Sequence, residues 1–561
     1  MKLSFYKPLL AIFIAGFLGS CGTSAPSLVS TPIEKIDSIP LKVTDLSEAQ
    51  LKNWSASDLR SDTIPGMSVD KAYAEIIKNN KPSPVIVGVV DSGVDIEHPD
   101  LKNQIWTNSD EIPNNGKDDD KNGYVDDIHG WNFLGNAVAE NLEYVRIIKR
   151  LKPKYEGKPE SSISTANRDE YKMYQAAKAE YEKEYGETMS TLQQYQQIKQ
   201  QLSAAHQAVS AELGTEDYTK KQLSEYQPQT QQMQQYKAML TQIQNNVNEN
   251  IPKALKELQD AIDYYQNRID THLNFDLNGR AVVGDDPYNI KDTNYGNNNV
   301  MGPEKTKENI KHGTHVAGII AAERKNGIGI NGVASNAKIM VVRAVPDGDE
   351  YDKDIALGIR YAVDNGAKVI NTSFGKYFSP NYQWVWDAIK YAAAHDVLIV
   401  NAAGNEGLNL DEKMVYPNDQ TPENPNEIAD NFLTVGALNY EYGSGLVAGF
   451  SNYGKKNVDV FAPGVKIWST TPNNTYEYLQ GTSMAAPEVA GVAALIRGFY
   501  PKLTAAQVKQ VIIDSGLSTN ATVIVGGDRN NTMKFTDLST SGKMVNLYNA
   551  LILASQLSNN L

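Results

Sequence analysis

Residues 480–487 read Gln480-Gly481-Thr482-Ser483-Met484-Ala485-Ala486-Pro487, and Val489-Ala490-Gly491-Val492-Ala493-Ala494-Leu495 follows directly after Glu488. A serine among small residues leads into an apolar, Ala/Gly-rich run, which predicts a buried helix. A hydroxyl at the mouth of such a helix sits at the positive end of its dipole, where a developing negative charge is favoured. The small neighbours let a substrate backbone come close. Taken alone, Gly-Thr-Ser before a helix more often marks an ordinary N-cap.

Two further stretches change that reading. Val85-Ile86-Val87-Gly88-Val89-Val90 is a short apolar run of the kind expected for a buried parallel strand, and it ends in Asp91-Ser92-Gly93-Val94-Asp95. His312-Gly313-Thr314-His315-Val316-Ala317-Gly318 places a histidine at the start of another small-residue helix. Asp, His and Ser in that chain order, each at an element end, is one of the convergent triad orders. The three blocks resemble those of subtilisin-like serine peptidases (subtilases).

The triad chemistry assigns Ser483 as the nucleophile, weak until a base removes its proton. His312 is then the base and later the acid, and Asp91 holds the imidazole tautomer and stabilises its cation. His315 lies one turn further along a buried helix, with no Glu-x-x-His pattern to suggest metal, and is read as structural. Val400-Asn401-Ala402-Ala403-Gly404-Asn405-Glu406-Gly407 is similar to the family's asparagine block, which implies Asn405 as the oxyanion donor. Ile370-Asn371-Thr372-Ser373-Phe374-Gly375 resembles the strand that pairs with substrate as an added antiparallel strand. The resemblance implies a main specificity pocket walled by Ser373, Phe374 and Gly375 on one side and by Ala403 and Gly404 on the other. Glu406 stands near its rim and would favour a basic or polar residue. The serine block departs from the commonest family form at Ala486 and Glu488, where Ser and His are frequent. Both follow the nucleophile, so indirect effects are expected and not loss of activity.

From His312 onward, strands and helices alternate. Strand-like runs at 337–344, 367–372, 397–400, 432–437 and 458–461 are separated by helical patterns at 352–365 and 384–394. Such alternation implies right-handed crossovers, and so an α/β, doubly wound, mostly parallel sheet with helices on both faces. Two surface helices at 504–514 and 544–557 close the chain. Asp91 and His312 are separated by 221 positions, where the family mostly needs a few tens. Residues 140–275, rich in Gln, Lys, Glu, Ala and Tyr, supply the excess as an insertion of two or three long helices, a hairpin broken around 214–228. Substrate or partner contact, a lid, self-association and a plain spacer all remain open for it. The expected division is a signal peptide at 1–20, a tether at 21–50, the first part of the catalytic domain at 51–139, the insertion and its return loop at 140–300, and the second part at 301–561.

Asp118-Asp119-Asp120-Lys121-Asn122-Gly123-Tyr124-Val125-Asp126-Asp127 places oxygen ligands at alternate positions around a sharp turn, as in the first half of a calcium loop. The twelfth position holds His129, so this is not an EF-hand. Crowded carboxylates repel one another unless a cation neutralises them. Asp118, Asp120, Asn122, Tyr124, Asp126 and Asp127 are therefore candidate ligands of a structural calcium; a solvated acidic turn is the alternative. No cofactor is expected for catalysis.

The formal net charge of −14 and the pI near 5.1 argue against nucleic acid as a partner. The lone cysteine, Cys21, rules out an intramolecular disulfide framework. It follows a basic start and an apolar run from Leu9 to Leu18, too short for a comfortable membrane span. Leu18-Gly19-Ser20-Cys21 resembles a bacterial lipobox, which implies a lipidated Cys21 and an extracytoplasmic, membrane-anchored chain; a plain secretory signal is the alternative. The expectation is a serine endopeptidase acting on protein or peptide substrates, held at the membrane by its N-terminal lipid, with a possible partner for the insertion. A latent scaffold that binds through the insertion is the competing reading, against which stand all of Asp91, His312, Asn405 and Ser483.

Overall fold

The computed structural model describes residues 30–39, 44–247, 250–421 and 426–560; Cys21 and the expected signal peptide lie outside them. Seven strands form one sheet: β1 (Val85–Asp91), β2 (Gly130–Asn132), β3 (Ala337–Arg343), β4 (Val369–Thr372), β5 (Leu398–Ala402), β6 (Phe432–Leu438) and β7 (Val460–Pro463). Their spatial order is β2-β3-β1-β4-β5-β6-β7, and every pairing is parallel. This is the expected doubly wound α/β sheet.

Both faces are covered, which is why the strands read as apolar runs. Side chains alternate between faces along each strand. Val87, Val89, Ile339, Val341 and Val400 join the core that contains the buried helix Thr482–Phe499. Val90, Met340, Val342 and Ile399 point the other way, into a core shared with the helices Asp352–Asp364 and Tyr382–Ala394. The Ala/Gly composition of 482–499 has a steric cause: a Cβ on Gly491 would stand 2.6 Å from Val333 Cβ. The chain passes from β3 on one side of β1 to β4 on the other, so the sheet reverses order at β1. In open α/β sheets ligand sites lie at the carboxyl ends of strands at such a point.

The stretch read as an insertion begins with the helix Glu143–Tyr155 and extends along a 46-residue helix, Arg168–Leu213. Gly214, at φ 72°, ends that helix, and the break expected at 214–228 contains the short helix Lys220–Glu225. The helix Ile251–Asn267 returns antiparallel along the long one: Gln259 lies at Lys199, and Arg268, just beyond it, lies 2.6 Å from Glu184. Two separate cores hold the arm. Tyr144, Ile148, Tyr155, Tyr171 and Tyr174 pack at its root, and Leu202, Val209, Leu223, Leu240 and Ile251 at its tip.

The stretch expected as a tether is in part docked. Ile33 and Ile36 are buried, Ile33 N donates to Asn549 Oδ1 at 2.8 Å, and Asn549 Nδ2 donates to Ile33 O at 2.9 Å. Asp37 accepts from Thr519 and Asn520. From residue 30 the segment therefore straps across the C-terminal helix Leu547–Ser558. Ile33 and Ile36, three residues apart, supply the apolar surface that a free tether would lack. The excursion at 517–540 holds a hairpin of β10 (Thr522–Val525) and β11 (Asp528–Lys534), and another pair, β8 (Ile467–Thr471) and β9 (Thr475–Leu479), precedes the serine block.

Candidate active site

β1 carries Asp91 to its carboxyl end, where the side chain is 1% exposed. Asp91 Oδ1 accepts from His312 Nδ1 at 2.8 Å and from the Ser92 amide at 2.7 Å. His312 stands in the first turn of the helix Lys311–Ala321, pressed close to β1: a Cβ on Gly313 would lie 2.2 Å from Gly93 O. Burial works against an imidazolium here, but the Asp91 charge and hydrogen bond outweigh it and raise the His312 pKa above its ordinary value. His315 is completely buried, with Nε2 at 3.1 and 3.2 Å from the carbonyls of Ile467 and Glu477. Burial drives its pKa down to about 3, so it is a neutral strut between the helix and the β8–β9 hairpin.

Val90 pairs with Thr372, so Asp91 on β1 and Ser373 just beyond β4 stand level on adjacent strands. Ser483 is tied to Ser373 twice: its hydroxyl donates to Ser373 O at 3.0 Å, and Ser373 Oγ donates to Ser483 O at 2.9 Å. The second bond follows from Pro487, which has no N–H to give the carbonyl four residues before it. Among the described residues Ser483 Oγ makes no hydrogen bond to His312.

Asn405 follows β5. Its side-chain oxygen accepts from Thr482 N at 2.8 Å and from Thr482 Oγ1 at 3.0 Å. The amide orientation is thereby set, and Nδ2 is left without a partner among the described residues. The Ser483 amide is likewise unpaired there, as expected of a first-turn N–H. Gly481, at φ 151°, makes the turn that brings these donors together. The block at 403–406 is held from behind by Asn452, which donates to Ala403 O at 2.9 Å and to Glu406 Oε2 at 3.2 Å. Glu406 also accepts from the Asn405 amide at 2.9 Å, so it braces the asparagine as well as standing beside it.

The expected substrate edge is open. The main-chain groups of Gly375 have no partner among the described residues, whereas Lys376 already exchanges hydrogen bonds with Tyr416 at 2.9 and 2.8 Å. Gly375 presses on Val415, where a Cβ would stand 3.0 Å from Cγ1. Behind Ala402 and Ala403 lies a cavity of about 30 Å³ bordered by Leu410, Met414, Val415 and Thr434. The Ala403 side is fully engaged, with its amide on Val435 O, and Gly404 N donates to Thr482 Oγ1 at 2.9 Å.

The acidic loop folds differently from its sequence pattern. The carboxylates of Glu111, Asp120 and Asp127 converge within 4.8 Å of one another. Asn108 donates to both Asp120 and Asp127, and Asn122 does the same. Burial raises the Asp127 pKa to about 6. Of the expected ligands, Asp118 instead caps the amides of Asn122 and Gly123, and Asp126 caps those of Asn115 and Gly116. The Tyr124 ring packs against Trp131 and Tyr361, its hydroxyl pKa pushed up to about 12 by burial. Turn amides engage Asp118 and Asp126 outside this cluster, while the amides of Asp119, Asp120 and Asp126 hold Glu111 within it. Glu111 was missed because it lies outside the acidic run; its one signal is a carboxylate shortly before the Asn-Asn-Gly turn at 114–116.

The profile of the subtilase family matches residues 83–537. The thermophilic serine proteinase of Bacillus sp. strain AK1 is 40% identical over 233 residues, covering 41% of this chain and 50% of that protein. The cell wall-associated protease of Bacillus subtilis strain 168 is 35% identical over 237 residues, covering 42% of this chain and 24% of that protein. Subtilisin BL of Lederbergia lenta is 36% identical over 229 residues, covering 40% of this chain and 78% of that protein. The chain thus spans half or less of the length of the first two. With 455 consecutive positions under the family profile, the chain belongs to the subtilase family.

Proposed function

We propose that this chain is a serine endopeptidase that cleaves protein or peptide substrates through an acyl-enzyme on Ser483. The observation that carries the reading is the 2.8 Å Asp91–His312 bond standing level with the Ser373 carbonyl that holds the Ser483 hydroxyl. Asp91 fixes Nδ1 as the protonated nitrogen, leaving Nε2 as the base. A peptide laid antiparallel on Phe374–Gly375 brings its carbonyl carbon to Ser483 Oγ. As the C–O bond forms, the hydroxyl proton passes to His312 Nε2, and the carbonyl oxygen gains negative charge between Asn405 Nδ2 and the Ser483 amide. The imidazolium then gives the proton to the leaving amine, and water repeats the sequence to release the acid. Hydrogen bonds of this kind often tighten only when substrate is bound.

The convergent Glu111, Asp120 and Asp127 carboxylates, drawn together around Asn108 and Asn122, suit a hard divalent cation. We assign them a structural calcium. For location, the lipobox-like Cys21 supports lipid anchoring on the extracytoplasmic side; among the described residues no helix is long and apolar enough to cross a membrane.

Digestion of denatured casein by the full-length chain and by Ser483→Ala tests the activity. Cleavage by the first and not the second is expected. Equal cleavage by both, or none by either, would overturn the proposal.

A further inference from the structure

We infer that the helical insertion is the outer wall of the substrate cleft and engages basic side chains of an extended peptide on the acyl side of the scissile bond. This rests on the peptidase reading for the path of the peptide.

The insertion is welded to the substrate edge. Lys376, the residue after Gly375, is buried with its ammonium 3.0 Å from Glu143 and 2.9 Å from Asp352, and it donates to Glu350 O at 2.7 Å. Glu143 opens the first helix of the insertion and also pairs with Arg146, whose guanidinium reaches the carbonyls of Asp349 and Glu350 at 2.6 and 3.0 Å. Charges this deeply buried persist only when paired, so these ion pairs tie the root of the insertion to Lys376. Phe378 then packs edge-on against Tyr144 in the root core, with ring centres 6.1 Å apart.

Tyr377, between these two anchors, is left 40% exposed. Its hydroxyl pKa is raised by burial first, then by the facing Glu406 carboxylate, and further by the charges of Glu180 and Glu184 on the 46-residue helix. Tyr181 of the arm packs on the same root core as Phe378, the neighbour of Tyr377, so the 180–185 stretch lies on the side of the cleft where Tyr377 is exposed. There Tyr181 and Tyr185 stack at 5.6 Å, and Tyr181 meets Phe275 at 4.7 Å. Tyr185 and Phe275 are each 38% exposed.

The direction of the peptide brings it to this surface. Ser483 sits on the Ser373 carbonyl, so an antiparallel peptide has its scissile bond at Ser373, and its preceding residues run past Gly375 toward Tyr377. Glu184 is already paired with Arg268 and Lys183, and Glu180 with Lys183, so the attraction for Lys or Arg comes chiefly from the exposed aromatic faces by cation–π. Neutral or acidic side chains gain no such attraction.

The test measures fluorescence-anisotropy binding of a nonamer with arginines at its third to sixth residues before the scissile position, alongside its citrulline counterpart. Both are titrated onto full-length Ser483→Ala and onto Ser483→Ala carrying Glu180→Gln and Tyr185→Ala, after thermal melts confirm equal folding. The arginine peptide should bind about 10-fold more tightly, a preference worth about 1.4 kcal/mol. The added substitutions should cut it to about 2-fold and leave citrulline binding unchanged. Equal affinities for the two peptides, or a preference untouched by the substitutions, would overturn the inference. Casein cleavage by the unmodified chain is read in parallel. Cleavage without the preference sinks this inference alone, whereas the preference without cleavage sinks the peptidase reading and leaves the surface standing.

Discussion

The Ser483 hydroxyl donates to the main-chain carbonyl of Ser373 at 3.0 Å, and the Ser373 hydroxyl returns a bond to the Ser483 carbonyl at 2.9 Å. The nucleophile is thus registered against the strand that would carry the substrate, while the donors for the developing oxyanion are oriented separately from Thr482.

That separation yields a clean kinetic expectation. Asn405→Ala removes Nδ2 but leaves the Ser483–Ser373 pair intact, so kcat should fall by about 10²–10³ while KM changes little. Steady-state kinetics on a peptide anilide, with folding checked by thermal melts, reads the split. A large rise in KM at unchanged kcat would assign Asn405 to ground-state binding instead.

The pH profile follows from Asp91. Because the folded His312 pKa is raised above its ordinary value of 6.5, the imidazole stays protonated, and useless as a base, to higher pH than usual. The acid limb of kcat/KM should therefore lie above 6.5. Asp91→Asn should move that limb down and lower kcat by on the order of 10³–10⁴. An acid limb that does not move in Asp91→Asn would contradict the assignment.

Glu488 titrates in the opposite sense to a salt-bridged carboxylate. It is 2% exposed on the buried serine helix, bordering a cavity of about 120 Å³ with Asn53, Ser55 and Trp468. Burial raises its pKa from 4.5 to about 8. A raised carboxyl pKa gives a stabilising contribution that is full below pH 4.5, diminishes as pH climbs and is gone above about 8. Glu488→Gln should therefore flatten the decline of Tm between pH 5 and 9, as followed by calorimetry. An unchanged decline would mean that the carboxyl is not desolvated.

Chelation should lower Tm by about 5 °C or more, and Glu111→Gln should abolish that response, whereas Asp118→Asn should retain it. Melts with and without EDTA decide between the carboxylate set drawn from the structure and the one drawn from the loop pattern.

Much of the sheet was legible because buried parallel strands must be apolar on both faces, and runs such as Val85–Val90 and Val397–Val400 have no other obvious use. The candidate site was legible through the family resemblance of its blocks, in which Asp91, His312, Asn405 and Ser483 each sit at an element end among small residues. What local patterning does not carry is long-range capture. Ile33 and Ile36 look like tether until Asn549 is opposite them. Glu111 looks like surface until the 114–127 turn folds it onto Asp120 and Asp127. The tie of Glu143 to Lys376 joins positions 233 residues apart, and neither residue alone distinguishes a buried pair from two solvated charges.

The most direct test of the central claim is labelling of the purified chain with a fluorophosphonate, followed by peptide mapping. Covalent label on Ser483, absent in Ser483→Ala and strongly diminished in His312→Ala, is the result the account predicts. Well-folded, calcium-supplied protein that takes no label, or takes it at another serine, would contradict it.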